Sequence, residues 1–144
     1  MAITAADLLA HAEAQLDSAG GEVDLRASIG RSYYAAFHSL LPLVEMLPPS
    51  RTFKGGQVSH FELMQRLSEW KVDGVCVELE SYREFKATTL RAVDSARAKR
   101  VIADYRLGAT VSTQDARTQI ARVNQICRAA AKLVGVANSK DMHE

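Results

Sequence analysis

The sequence predicts an all-α fold, a four- to five-helix up-and-down bundle, and three observations carry that expectation. Apolar residues recur at intervals of three and four along most of the 144 residues. Glycine, proline and capping residues divide the chain into pieces of helix length. Nowhere do apolar and polar residues alternate with the period of a strand. A chain of this length can bury one core without metal or disulfide staples, so residues 1–136 read as a single domain and 137–144 as a polar tail.

The elements follow in order. Thr4-Ala5-Ala6-Asp7 is a capping-box start, with Asp7 in the place usually held by Glu or Gln, and Leu8, Leu9, Ala12 and Leu16 mark the apolar face behind it. Gly20-Gly21 is the expected stop, because paired glycines supply the left-handed conformations of a C-terminal cap. A second helix is expected from about Val23 to Leu47 on Ile29, Tyr33, Phe37, Leu40 and Val44, with a kink or early end at Pro42 and a firm stop at Pro48-Pro49. Residues 51–57, with Gly55-Gly56 and the cations Arg51 and Lys54, read as an exposed loop.

Ser59 caps a short third helix through Phe61, Leu63, Met64, Leu67 and Trp70, closed by Asp73-Gly74 and carrying His60 in its first turn. The fourth and longest helix is expected from about Val75 to Leu107 on Val75, Leu79, Tyr82, Leu90 and Val93, with Gly108 as C-cap. Its last third is rich in charge. Arg100 lies seven residues beyond Val93 on the same face and needs a partner, which Asp104 offers one turn on. Ser112-Thr113-Gln114-Asp115 is a second capping box, opening a final helix to about Val134, before Gly135.

Composition limits the function. With 18 Lys and Arg against 17 Asp and Glu, the net charge is +1, so strong binding of nucleic acid by overall charge is excluded and any such binding needs a local patch. The two cysteines, Cys76 and Cys127, lie in helical patterns and read as buried free thiols of a reducing compartment. No signal peptide and no run of about 18 apolar residues is evident, so a soluble cytoplasmic protein is expected. Neither a Gly-rich phosphate loop, a zinc spacing nor a nucleophile elbow is present, and no metal or cofactor is expected.

One stretch of the second helix stands out. Arg31-Ser32-Tyr33-Tyr34-Ala35-Ala36-Phe37-His38 puts three aromatics, an arginine and a histidine into eight residues. Seven residues advance a helix by about 700°, so Arg31 and His38 share a meridian with Tyr34 between them. Tyr33 and Phe37 form a neighbouring stripe that reads as core. With His60, Arg100, Asp104 and Tyr105 these residues form a set of polar groups on the second, third and fourth helices. Imidazole can move a proton and guanidinium can hold the charge that develops on phosphate, so the set suits phosphodiester chemistry. It suits nucleotide binding equally, and residue type alone does not choose between them. A third possibility makes the whole cluster structural.

Together, Arg31 to His38, Ser59-His60 after a loop, and Arg100-Val101-Ile102-Ala103-Asp104-Tyr105 resemble the HEPN domain family (higher eukaryotes and prokaryotes nucleotide-binding) over residues 4–134. The resemblance implies a helical bundle that forms a homodimer and works in a prokaryotic toxin–antitoxin or defence module, beside a nucleotidyltransferase or antitoxin partner. Many members are metal-independent RNases that use an Arg-x(4–6)-His motif. On that basis Arg31 and His38 are the catalytic candidates, and Tyr34, His60, Arg100, Asp104 and Tyr105 the residues expected at bound RNA or nucleotide. The chain departs from the catalytic branch in the later helix, where Arg100 is followed by Asp104 and not by histidine. A carboxylate of ordinary pKa is already ionised near pH 7 and cannot replace imidazole as a proton shuttle there.

Overall fold

In a computed structural model, which describes residues 2–69 and 79–143, the chain is an all-α bundle. Five helices are described: α1 (Ala5–Asp17), α2 (Glu22–Glu45), α3 (His60–Glu69), α4 (Leu79–Tyr105) and α5 (Thr113–His143). No strand occurs among the described residues. Cross-helix bonds give the directions. Ser28 Oγ donates to Ala12 O at 2.8 Å across the α1–α2 hairpin. Arg26 at the start of α2 reaches Ile102 and Ala103 at the end of α4, so these two helices run antiparallel. The Glu22 carboxylate takes the amide of Val111 ahead of α5, and Ser39 Oγ donates to Cys127 Sγ at 3.0 Å. Both pairs are separated by almost the same number of residues, so α2 and α5 run parallel. With α4 antiparallel to both, α1, α2, α4 and α5 alternate in direction, and short α3 lies beside them.

Helix α2 is central because its apolar positions run the length of the bundle. Tyr33, Ala36, Leu40, Leu43 and Val44 join Leu63, Leu67, Phe85, Val93, Val123, Ile126 and Leu133 in the main core. Leu25 and Ile29 join Ala103, Val111 and Ala116 in a second cluster at the end where α2 begins. Fully burying a side chain of this size is worth about 1.5–3 kcal/mol, so these two clusters hold the bundle. Gln119 is fully buried in the α4–α5 seam and answers its polarity by donating to Ala96 O at 2.9 Å.

The local starts follow the sequence. Thr4 and Asp7 exchange capping-box bonds of 3.1 and 2.9 Å, Ser112 and Asp115 do the same, and Ser59 Oγ accepts from Glu62 N at 3.1 Å.

The ends differ from expectation. Helix α1 stops at Asp17, and Ser18 Oγ closes it by donating to Ala14 O at 2.9 Å. Gly20-Gly21 is therefore a connector and not a left-handed cap. Gly21 is the extended N-cap of α2, while Asp24 Oδ2 accepts from Gly20 N at 2.9 Å. Gly108 is likewise no left-handed cap: among the described residues only Gly55 (φ 93°) and Gly56 (φ 87°) have positive φ, both in the expected loop.

Pro42 lies inside α2, which continues to Glu45. Helix α5 runs through Gly135 to His143, well past the expected end, because an isolated glycine weakens a helix by only about 1 kcal/mol. Phe61 is 61% exposed and not core. It lies two residues before Leu63, about 200° round the helix from the face that Leu63 and Leu67 bury. Trp70, Asp73-Gly74, Val75 and Cys76 fall outside the described residues. Cys127 is a free, half-buried thiol raised above its ordinary pKa by burial. No described helix is long and apolar enough to cross a membrane.

Candidate functional site

The conspicuous α2 segment divides by helical geometry into two faces. Tyr33 (4% exposed) enters the core and Phe37 packs against it, as expected of a stripe spaced by four. The adjacent stripe, Arg31, Tyr34 and His38, is exposed throughout. Phe37 and His38 meet edge to face at 5.4 Å.

Helix α4 brings Arg100 to this surface. Its position continues the buried sequence Phe85, Val93 and Ala96, but the guanidinium emerges at the edge of the bundle. Arg100 Nη2 donates to Tyr34 Oη at 2.8 Å and stands 3.4 Å from Tyr105 Oη. The guanidinium carbon lies 5.3 Å from the ring centres of both Tyr34 and Tyr105 and 5.9 Å from that of Tyr33. Such contacts add about 0.5–1 kcal/mol each where solvent reaches them.

Asp104, the partner expected one turn on, is in place with its Oδ2 2.9 Å from Arg100 Nε. The buried Nε–H is not aimed at that oxygen and makes no hydrogen bond, so charge and not a directed bond joins the two. Burial disfavours the charged guanidinium, but the two tyrosines and Asp104 outweigh it and raise the Arg100 pKa.

His60, in the first turn of α3, reaches the other side of the same cluster. Its Nδ1 and the Tyr33 hydroxyl are hydrogen-bonded, and the two rings lie 5.7 Å apart. Burial pushes the His60 pKa down to about 4, and Arg97 and Arg100 act in the same direction against Asp94. Burial also pushes Tyr33 up to about 12, with Arg97 and Arg100 pulling back. Both partners are therefore neutral at pH 7.

The structure thus joins Tyr34, Arg100, Asp104 and Tyr105 directly and links His60 to them through Tyr33. Arg31 and His38 flank Tyr34 on the exposed stripe without joining the bonded cluster. Two turns of helix hold them about 10 Å apart along the axis.

By helical period Tyr33 reads only as core, and Arg97 only as one of the charges in the last third of the fourth helix. No local pattern marks either role, because both depend on α3 being laid beside α2 and α4. Among the described residues no group of three or more His, Cys, Asp or Glu side chains could hold a metal ion. No family model, curated protein or solved structure matches this chain.

Proposed function

We propose that the chain is a HEPN-like module that binds single-stranded RNA or its nucleotides on the surface formed by α2 and the end of α4. The observation that carries this reading is the Arg100 guanidinium held among tyrosine rings, two of which are open to solvent: Tyr34 is 42% and Tyr105 67% exposed. Aromatic faces accept bases by stacking, and guanidinium groups accept phosphates as charge-assisted bonds. Arg31 and His38 extend the surface along α2. The Arg100–Asp104 pair favours binding over turnover, since it orients the cation and supplies no proton shuttle near neutral pH.

Cleavage is the second reading, favoured by the exposure of both Arg31 and His38. In that case His38 takes the proton of an RNA 2′-hydroxyl, whose oxygen attacks the adjacent phosphorus, while Arg31 holds the charge that develops there. The 5′-oxygen departs and takes up a proton. The family resemblance adds a homodimer and a nucleotidyltransferase or antitoxin partner to either reading.

Wild-type and His38→Ala proteins, purified side by side, are tested on single-stranded RNA in EDTA, with anisotropy for binding and size-exclusion chromatography for oligomeric state. Binding without cleavage supports the binding module. Cleavage that falls at least ~100-fold in the variant establishes the second reading. A folded protein that neither binds nor cuts RNA or nucleotide makes the cluster structural.

A further inference from the structure

We propose that Arg97 and His60 extend the RNA-binding surface into the seam of α2, α3 and α4, where they take a backbone phosphate and His60 gains a proton as the phosphate binds. The proposal rests on the RNA-binding reading above and adds a site and a proton linkage to it.

The geometry comes first. Arg97 is exposed and lies one turn before Arg100 on α4. Arg100 is 5.9 Å from the Tyr33 ring, and the Tyr33 hydroxyl holds His60 Nδ1. Tyr33 from α2 therefore contacts His60 directly, and the charges that act on it come from Asp94, Arg97 and Arg100 of α4. Burial is the largest cause that holds the imidazole neutral; the two guanidiniums act with it, and Asp94 opposes them.

The chemistry follows from the Tyr33 contact. A neutral imidazole that accepts the Tyr33 proton at Nδ1 keeps its proton on Nε2, on the ring side away from Tyr33. A hydroxyl can donate or accept, so the same contact survives protonation, with Nδ1–H then donating to Tyr33 Oη. An arriving phosphodiester supplies the negative charge that the seam lacks. It pairs with Arg97 and sets a negative charge against the burial and the guanidiniums that together keep His60 neutral. Phosphate affinity must then rise as the pH falls, because proton and phosphate binding are reciprocal.

The probe is a fluorescent ten-nucleotide oligouridylate without terminal phosphates, so that only diester groups, which do not titrate in this range, meet the protein. Its anisotropy is measured with wild type, His60→Asn and Arg97→Gln between pH 8 and pH 5, while NMR follows the His60 Cε1 resonance with and without RNA. Asparagine preserves a polar partner for Tyr33. Bound RNA is expected to raise the His60 pKa by at least one unit. A rise of one unit from about 4 should then let wild-type affinity gain about twofold more than that of His60→Asn between pH 8 and pH 5, and a larger rise correspondingly more. Arg97→Gln, a change at an exposed position, should flatten the salt dependence by about 0.7 in log–log slope and abolish the His60 shift. RNA binding that depends on Tyr34 but leaves the His60 titration unmoved overturns this proposal and spares the RNA-binding reading. Absence of RNA binding by the folded protein overturns both.

Discussion

Asp104 lies against the backbone of Gly30: a Cβ added to Gly30 would meet Asp104 Oδ1 at 3.0 Å. The glycine immediately precedes Arg31, at the level where α4 crosses α2, and its missing side chain leaves room for the carboxylate that faces Arg100. Gly30 is buried, and all three nearest atoms to such a Cβ belong to Asp104. Space for the ion pair is thus set on α2, although both of its charges are on α4.

Gly30→Ala should consequently separate stability from geometry. Alanine gains roughly 0.5–1 kcal/mol over glycine within a helix. The displaced carboxylate is exposed and can turn away, giving up an ion pair worth about 0–1 kcal/mol. Urea denaturation is expected to find the variant within about 1 kcal/mol of wild type, while its structure shows Asp104 moved from Arg100. A loss above about 3 kcal/mol would mean that the α2–α4 backbones themselves had been forced apart.

Arg26 joins three parts of the chain. Its guanidinium donates to Ile102 O, Ala103 O and Arg106 O at 3.0–3.2 Å and also to Ala109 O, while Glu22 holds it from the preceding turn. The carbonyls at the end of a helix have no intrahelical partners, and a cation there meets the negative end of the dipole. Arg26→Ala should cost about 2–4 kcal/mol, because several partly buried carbonyls lose a charged donor together. Calorimetry should show a clear fall in Tm, with Arg26→Lys recovering only part of it, since one ammonium cannot span the same acceptors.

This clamp shows where sequence reading runs out. Thr4 with Asp7, and Ser112 with Asp115, were legible because a capping box closes within four residues. Tyr33 and Leu40 were legible as core because helical period alone assigns a face. Arg26 meets carbonyls 76 to 83 residues away, and nothing near it in sequence distinguishes it from a solvated arginine. The site divides likewise. The Arg100–Asp104 pair follows from a spacing of four, and the exposed Arg31–Tyr34–His38 stripe from periodicity. The Arg100 bond to Tyr34 and the Tyr33 bond to His60 required the bundle to place α4 and α3 against α2.

The ion pair Glu62–Arg66 has a helical spacing that usually marks a surface, yet the two residues are only 3% and 7% exposed. Ser50 encloses the pair by giving its amide and hydroxyl to the Glu62 carboxylate, and Phe53 lies 4.8 Å beneath the Arg66 guanidinium. Burial alone would raise the Glu62 pKa, but the Ser50 bonds and Arg66 outweigh it and hold the carboxyl below its ordinary 4.5. The folded value being the lower one, this stabilisation is complete above the ordinary carboxylate range and fades as the pH falls through the folded pKa. Glu62→Gln should cost about 3–5 kcal/mol at pH 7 by leaving Arg66 buried without its counter-charge. Urea midpoints should show that cost shrinking on acidification, and Glu62→Gln combined with Arg66→Met should regain much of it. An unchanged cost below pH 4 would assign the effect to packing and not to charge.

Tyr34 offers two separable contributions to the surface around Arg100, a hydroxyl at 2.8 Å and a ring 5.3 Å from the guanidinium. If bases stack on that ring, Tyr34→Phe keeps the stacking face and releases one Arg100 donor for phosphate, so RNA affinity should stay within about threefold of wild type. Tyr34→Ala removes the face and should weaken binding by about 1–3 kcal/mol. Because Tyr34 is 42% exposed and outside both apolar clusters, Tm should change little in either variant. Equal losses of affinity in the phenylalanine and alanine variants would shift the contribution from the ring to the hydroxyl, making Tyr34 a holder of Arg100 and not a contact for bases.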